Sequence, residues 1–138
     1  MTQDNPAGNY VKMDHWAHRQ LANGQSFKTD SMSTCATLAA YNNATGDAII
    51  AHFGSLATDV DPVQDVTNNA PAIQAVINNA GGNGAWTGVV VTNQNHTIST
   101  QRVNAILQAF QFAQQGQNSW GVALTRNGGA TTVTYLTR

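Results

Sequence analysis

The chain contains one cysteine, Cys35, and two residues stand at suggestive distances from it: Thr29 six positions earlier and His52 seventeen positions later. A thiol is a poor nucleophile at neutral pH until a nearby base takes its proton, and an imidazole can be that base. The imidazole in turn needs a third group on its other nitrogen to fix its tautomer and orientation. Cys35 is therefore the candidate nucleophile and His52 the candidate general base. Thr29 is the candidate orienting group, through its hydroxyl or its carbonyl, with Asp30 as its rival. Backbone N–H groups around Ser33, Thr34 and Cys35 are candidates for stabilising an oxyanion. The competing structural reading makes Cys35 a packed, inert thiol, His52 a satisfied histidine at the edge of a core, and Thr29 a surface strand residue.

These residues need a scaffold. Cys35–Tyr41 and Asp47–Phe53 read as adjacent strands around Asn42–Gly46, where Asn and Gly tolerate the positive φ of a tight reversal. The period of two places Cys35, Thr37 and Ala39 on one face and the more apolar Ala36, Leu38 and Ala40 on the other. That directs Cys35 away from the deepest packing. Gln25–Asp30 reads as a short strand before them. Met13, Trp16, Ala17 and Leu21 predict a short helix within Tyr10–Ala22, ended by Asn23-Gly24.

Beyond a long polar connection at Gly54–Asn69, a helix is expected over Pro71–Asn79. Asn69 would cap it, Pro71 would occupy its first turn, and Ile73, Val76 and Ile77 would form its apolar face. Gly81–Gly84 stops it. Trp86–Thr92, with Val89-Val90-Val91 at its centre, reads as an internal strand. A second helix is expected over Thr100–Gln115, capped by Ser99 and stopped by Gly116, with Val103, Ile106, Leu107, Phe110 and Ala113 as its stripe. Ser119–Thr125 and Ala130–Thr137 close the chain as a hairpin through Asn127-Gly128-Gly129. The order α-β-β-β-α-β-α-β-β predicts an α/β (α+β) fold of packed mixed sheets flanked by helices. Residues 1–9 are expected to be a flexible tail and 10–138 a single catalytic domain with the site at a sheet edge.

Composition narrows the function. The 138 residues suit one domain with a real core. Charged residues make up only 9%, against about 25% in typical globular chains. Every acid is Asp, and the net charge is −1. This balance gives no electrostatic case for binding nucleic acid or an anionic membrane. No apolar run approaches a membrane span, and Met1–Lys12 lacks a signal-peptide core. A single cysteine cannot form an internal disulfide. His15 and His18 would share a helix face but lack a third ligand, so they make a weak metal pair. Asp59, Asp61 and Asp65 lack the glycine and terminal glutamate of a calcium loop, which leaves them turn and capping roles. His96 is a loop histidine, and Trp16, Trp86 and Trp120 read as core or rim packing.

The Thr29, Cys35 and His52 spacing, with Cys and His on neighbouring strands, resembles the chemoreceptor glutamine deamidase family and the related deamidating toxins of the cytotoxic necrotizing factor type. Met32-Ser33-Thr34-Cys35 is similar to the family's segment around its nucleophile, and Ala51-His52-Phe53 to its Ala-His-apolar segment. The succeeding order of elements also fits, so the resemblance covers most of the chain after about residue 25. Ser33 and Thr34 replace the usual glycine before the nucleophile, and Gly54-Ser55-Leu56 replaces the Leu-Pro that often follows the histidine. The resemblance implies a packed-sheet catalytic domain that converts a protein glutamine to glutamate through a thioester on Cys35. It implies a protein substrate and no metal or organic cofactor, and the departures from the chemotaxis motifs together with the unusual surface favour a toxin or effector role over a chemotaxis role. The alternatives are another Cys–His peptidase or amidase, and a non-catalytic binding module with a buried cysteine.

Overall fold

Asp47–Phe53 is buried at every position, and Ala36–Tyr41 at every position but the last. Strands of this kind lack alternation because both of their faces are covered. The computed structural model describes residues 1–4, 8–54 and 61–138. Among them are strands β1 (Thr2–Gln3), β2 (His15–Gln20), β3 (Ser26–Thr29), β4 (Ala36–Tyr41), β5 (Asp47–Phe53), β6 (Thr87–Val91), β7 (Ala113–Gln115), β8 (Gly121–Asn127) and β9 (Ala130–Leu136). The helices are α1 (Pro62–Asn79) and α2 (Thr97–Ala109). The fold is mixed α+β. One sheet has the order β1-β2-β5-β4-β6-β7, and a smaller one the order β3-β8-β9. The large sheet is mixed: its end pairs β1–β2 and β6–β7 are parallel, and the pairs between them are antiparallel.

The two faces of the large sheet have different covers. Ala36, Leu38, Ala40, Ile49, Ala51 and Phe53 pack against Val66, Ile73 and Ile77 of α1 and Val103 and Ile106 of α2. Ala17, Ala39, Ala48, Ile50 and Val91 pack on the other face against Phe27 of β3 and Val122 and Leu124 of β8. Three layers result: helices, large sheet, small sheet. Each fully buried Leu, Ile or Phe contributes about 1.5–3 kcal/mol relative to exposure, so both interfaces hold the large sheet firmly.

The double cover explains the first departure from the sequence reading. Trp16 and Ala17 belong to β2, not to a helix. Their side chains enter opposite cores, Trp16 toward the helices and Ala17 toward the small sheet. Adjacent apolar residues look helical only when one buried face is assumed. His15 and His18 also lie on this strand, on opposite faces, so the helical metal pair does not form. His15 meets Asp4 and His18 meets Asp47 instead.

Other boundaries shift as well. α1 begins at Pro62, with Asp61 as its cap: the Asp61 carboxylate accepts from the Val63 and Gln64 N–H groups. The expected start at Pro71 takes the same proline signal nine residues too late, and Pro71 lies inside the helix. Residues 55–60 of the expected polar connection, Asp59 among them, lie outside the described residues. α2 runs from Thr97 to Ala109 with His96 as its cap. Ser99 lies within its first turn, its hydroxyl bonded to the Gln94 and His96 carbonyls. Ala113, expected on the helix stripe, belongs to β7. Thr2–Gln3, expected in a tail, forms β1 beside β2. The closing hairpin turns at Gly128 and Gly129, both at positive φ (60° and 80°), as a two-residue type I′ reversal requires. Among the described residues no helix is long and apolar enough to cross a membrane.

Candidate active site

β3 alternates cleanly: Ser26 and Lys28 are exposed, while Phe27 and Thr29 are buried. The alternation points Thr29 at the large sheet, where it meets His52 of β5. Thr29 Oγ1 lies 2.6 Å from His52 Nδ1. The same hydroxyl donates to the Val11 carbonyl at 2.7 Å. A threonine hydroxyl has one proton. With that proton on Val11, Oγ1 can only accept from the imidazole, so Nδ1 carries the ring proton. Nε2 is then the free base. It is buried and has no hydrogen-bond partner among the described residues. The Tyr10–Val11 segment that supplies the carbonyl is held beside β3, with Val11 N–H donating to Lys28 O.

Asp30, the rival orienting group, is engaged elsewhere and accepts from the Tyr10 hydroxyl at 2.7 Å. Burial and this carboxylate push the Tyr10 phenol up to about 12, so it stays a neutral donor. The expected surface role for Thr29 does not hold, because its side chain is fully buried.

Cys35 precedes β4 by one residue. The β4–β5 register pairs Ala36 with Phe53 and Thr37 with His52. Its continuation pairs Cys35 with Gly54. Cys35 is thus one diagonal step from His52 on the same face, a relation that places Cα atoms about 7–8 Å apart. Gly54 makes room for the thiol: a Cβ built there would lie 2.3 Å from Cys35 Sγ and 3.1 Å from Met13 Cγ. No hydrogen bond joins the thiol to His52 Nε2. The sequence reading directed Cys35 away from the deepest packing, but its exposure is only 3%. That face is closed by the small sheet and by the Met13–Asp14 turn. The expected position at a sheet edge also changes. β4 and β5 are central strands, and the site lies at their ends.

The electrostatics describe a thiol and a neutral imidazole. Burial drives the His52 pKa down to about 4, with Arg102 adding to the shift and Asp30 opposing it. Burial pushes the Cys35 thiol up, helped by Asp65 and Asp14 and opposed by the Ser33 backbone N–H and by Arg102. At neutral pH His52 is unprotonated and able to accept a proton. Cys35 holds its proton until a base removes it.

Several groups that fix the site escape sequence reasoning. Thr92, just after β6, donates its hydroxyl to the Cys35 carbonyl at 2.9 Å. Arg102 of α2 donates to the Thr34 carbonyl at 2.9 Å. Met32 N–H bonds to the Trp120 carbonyl. Asp14, at φ 63°, donates its N–H to the His52 carbonyl. Ser31, at φ 60°, begins the turn that presents Cys35. Positive φ is uncommon outside glycine and calls for support from the surroundings, and both instances flank the site. The one legible signal was Arg102, a guanidinium beside the apolar stripe of a helix in a chain with few charges. A cavity of about 320 Å³, lined in part by Asn93, Ser119, Trp120 and Tyr135, adjoins this segment. Ser119 N–H bonds to the Thr92 carbonyl, and Asn93 falls opposite Cys35 if the β4–β6 register is continued. None of Thr29, Cys35 and His52 lines it. No group of three or more His, Cys or Asp side chains suited to a metal ion occurs among the described residues. Compared with family models and with curated proteins, the chain matches none.

Proposed function

We propose that the chain is a cysteine-dependent protein-glutamine deamidase, with Cys35 as nucleophile, His52 as general base and acid, and Thr29 as the group that orients His52. The observation that supports this most is the relay Val11 carbonyl, Thr29 hydroxyl, His52 Nδ1. It leaves Nε2 as an unprotonated base, unpartnered among the described residues, on the face that carries the chain's one thiol. A threonine in place of a carboxylate also matches the resemblance to the deamidase family.

In the reaction His52 Nε2 takes the Cys35 proton as Sγ attacks the glutamine carboxamide carbon. Backbone N–H groups of the Ser33–Cys35 segment receive the oxyanion. His52 then gives its proton to the departing ammonia, leaving a thioester. Water, deprotonated by His52, hydrolyses it to glutamate. An amine in place of water would complete a transglutamination. No cofactor enters these steps. The partner is a protein carrying an accessible glutamine, and the replaced glycine and Leu-Pro segments favour an effector or toxin role.

The test is incubation of the purified chain with a library of glutamine-containing peptides, reading ammonia release and glutamine-to-glutamate conversion by mass spectrometry, with Cys35→Ala as control. Conversion that vanishes in the control supports the reading. Peptide cleavage without deamidation would favour a Cys–His peptidase. A second reading draws on the burial of Cys35 and the upward shift of its thiol: a binding module in which the cysteine is packing. It predicts no conversion and a loss of stability in Cys35→Ala.

A further inference from the structure

A buried guanidinium burdens a fold, and an apolar side chain at position 102 would serve the α2 stripe as well. Arg102 is nevertheless only 5% exposed. Its Nη1 is spent on one backbone atom, the Thr34 carbonyl, and its Nε lies 3.5 Å from Asp65 Oδ2 of α1. The peptide from Thr34 to Cys35 is trans. In a planar trans peptide the N–H points opposite to the C=O. Arg102 holds that carbonyl, so the Cys35 N–H points the opposite way, away from the guanidinium. A cation on the carbonyl also polarises the peptide and strengthens its N–H as a donor.

We propose that Arg102 is the positioning residue of the site: by holding the Thr34 carbonyl it aims the Cys35 N–H at the oxygen of an acyl group attacked by Cys35. This rests on reading Cys35 as an acyl-transfer nucleophile, not on glutamine as its substrate. The charged and titratable groups facing the thiol are Arg102 from α2, Asp65 from α1, Asp14 from the turn before β2, and His52 from β5. Arg102 favours the thiolate, and Asp65 and Asp14 oppose it.

Two probes separate the effects in the full chain. With p-nitrophenyl acetate, Cys35 Sγ bonds to the acetyl carbon and the C–O bond to p-nitrophenolate breaks. The thiol proton passes through His52 to solvent, and an oxyanion forms on the way. With iodoacetamide, Sγ displaces iodide at a saturated carbon and no oxyanion forms. In Arg102→Gln, acylation should fall about a hundredfold more than alkylation, the effect of losing one oxyanion donor. Arg102→Lys should recover most of it. The alkylation pH profile should move up in Arg102→Gln and down in Asp65→Asn. A purely structural ion pair predicts otherwise: both variants loosen the packing, both label faster, and the acylation-to-alkylation ratio stays native. That result overturns the proposal. Should Arg102→Gln fail to fold, Arg102→Met, whose apolar side chain suits the buried position, takes its place, and a native acylation-to-alkylation ratio overturns the proposal. A native chain that acylates in this Arg102-dependent way but leaves glutamine untouched keeps the inference and sinks the deamidase reading. A native Cys35 that no acyl donor labels sinks both.

Discussion

His52 gives the sharpest test of the site, because its tautomer and its burial both bear on stability. Its folded pKa is about 4, against about 6.5 for an unperturbed histidine. Between these values the unfolded chain binds a proton that the folded chain refuses. Folding therefore loses stability as pH falls through that window, and the loss from this residue is complete below about pH 4. Each pH unit inside the window is worth about 1.4 kcal/mol. By pH 5 the penalty should reach about 2 kcal/mol, and by pH 4 about 3 kcal/mol. The structural origin is specific. Protonation would place a second N–H on Nε2, which is buried without a partner among the described residues, while the Nδ1 proton is already committed to Thr29.

The assay is urea unfolding at half-unit steps from pH 7.5 to 4, for the native chain and for His52→Gln, which cannot titrate. The quantity of interest is the difference between the two curves, since it cancels the carboxylates and the other histidines. That difference should be constant above pH 7 and shrink as pH falls, with a slope approaching one proton. A difference that stays flat between pH 6.5 and 4.5 would falsify the assignment of His52 as a buried neutral imidazole, and the free-base role of Nε2 would go with it. The same titration sets the acid limb of activity. Loss of the neutral base should reach its midpoint near pH 4, well below the limb of an exposed histidine.

The remaining predictions follow from contacts around the thiol and the relay. Gly54→Ala places a Cβ 2.3 Å from Cys35 Sγ and should cost about 1–3 kcal/mol as overpacking, by thermal or urea unfolding. Cys35→Ala in the same chain should restore most of that loss, and additivity of the two substitutions would show that the thiol does not lie over Gly54. Thr29→Val leaves the His52 Nδ1–H and the Val11 carbonyl without partners and should cost about 1–3 kcal/mol. Thr29→Ser keeps the hydroxyl and should cost less, and equal costs in the two variants would remove the relay from the argument.

The order in which chemistry and fold became legible has a physical reason. Turns and hairpins were readable because their requirements are local. Asn42–Gly46 and Gly128-Gly129 need positive φ, and few residues supply it cheaply. The β3, β4 and β5 boundaries emerged almost unchanged for the same reason. β2 and the start of α1 were misread where one local signal admitted two tertiary contexts: Trp16-Ala17 fits a helix face or a doubly covered strand, and a capping residue shortly before a proline occurs twice, as Asp61 before Pro62 and Asn69 before Pro71. The triad could be proposed from residue types alone. Its wiring could not, because the Thr29–His52 bond crosses between two sheets and depends on a carbonyl, Val11 O, that any residue would supply.

Gly54 and Arg102 show the remaining gap. Sequence reasoning looks for groups that react, and these two act by leaving space and by gripping a backbone oxygen. A glycine after a histidine strand and an arginine beside an apolar helix stripe both stood in the sequence. They became interpretable only when the register placed Gly54 opposite Cys35 and the helical layer brought Arg102 to Thr34. An isolated Thr–Cys–His spacing therefore tests weakly for a site. The stronger test is whether the residues next to the triad violate ordinary packing preferences in ways that the proposed chemistry needs. Here the positive φ of Asp14 and Ser31, the buried charge of Arg102 and the unpartnered Nε2 of His52 all converge on the ends of β4 and β5.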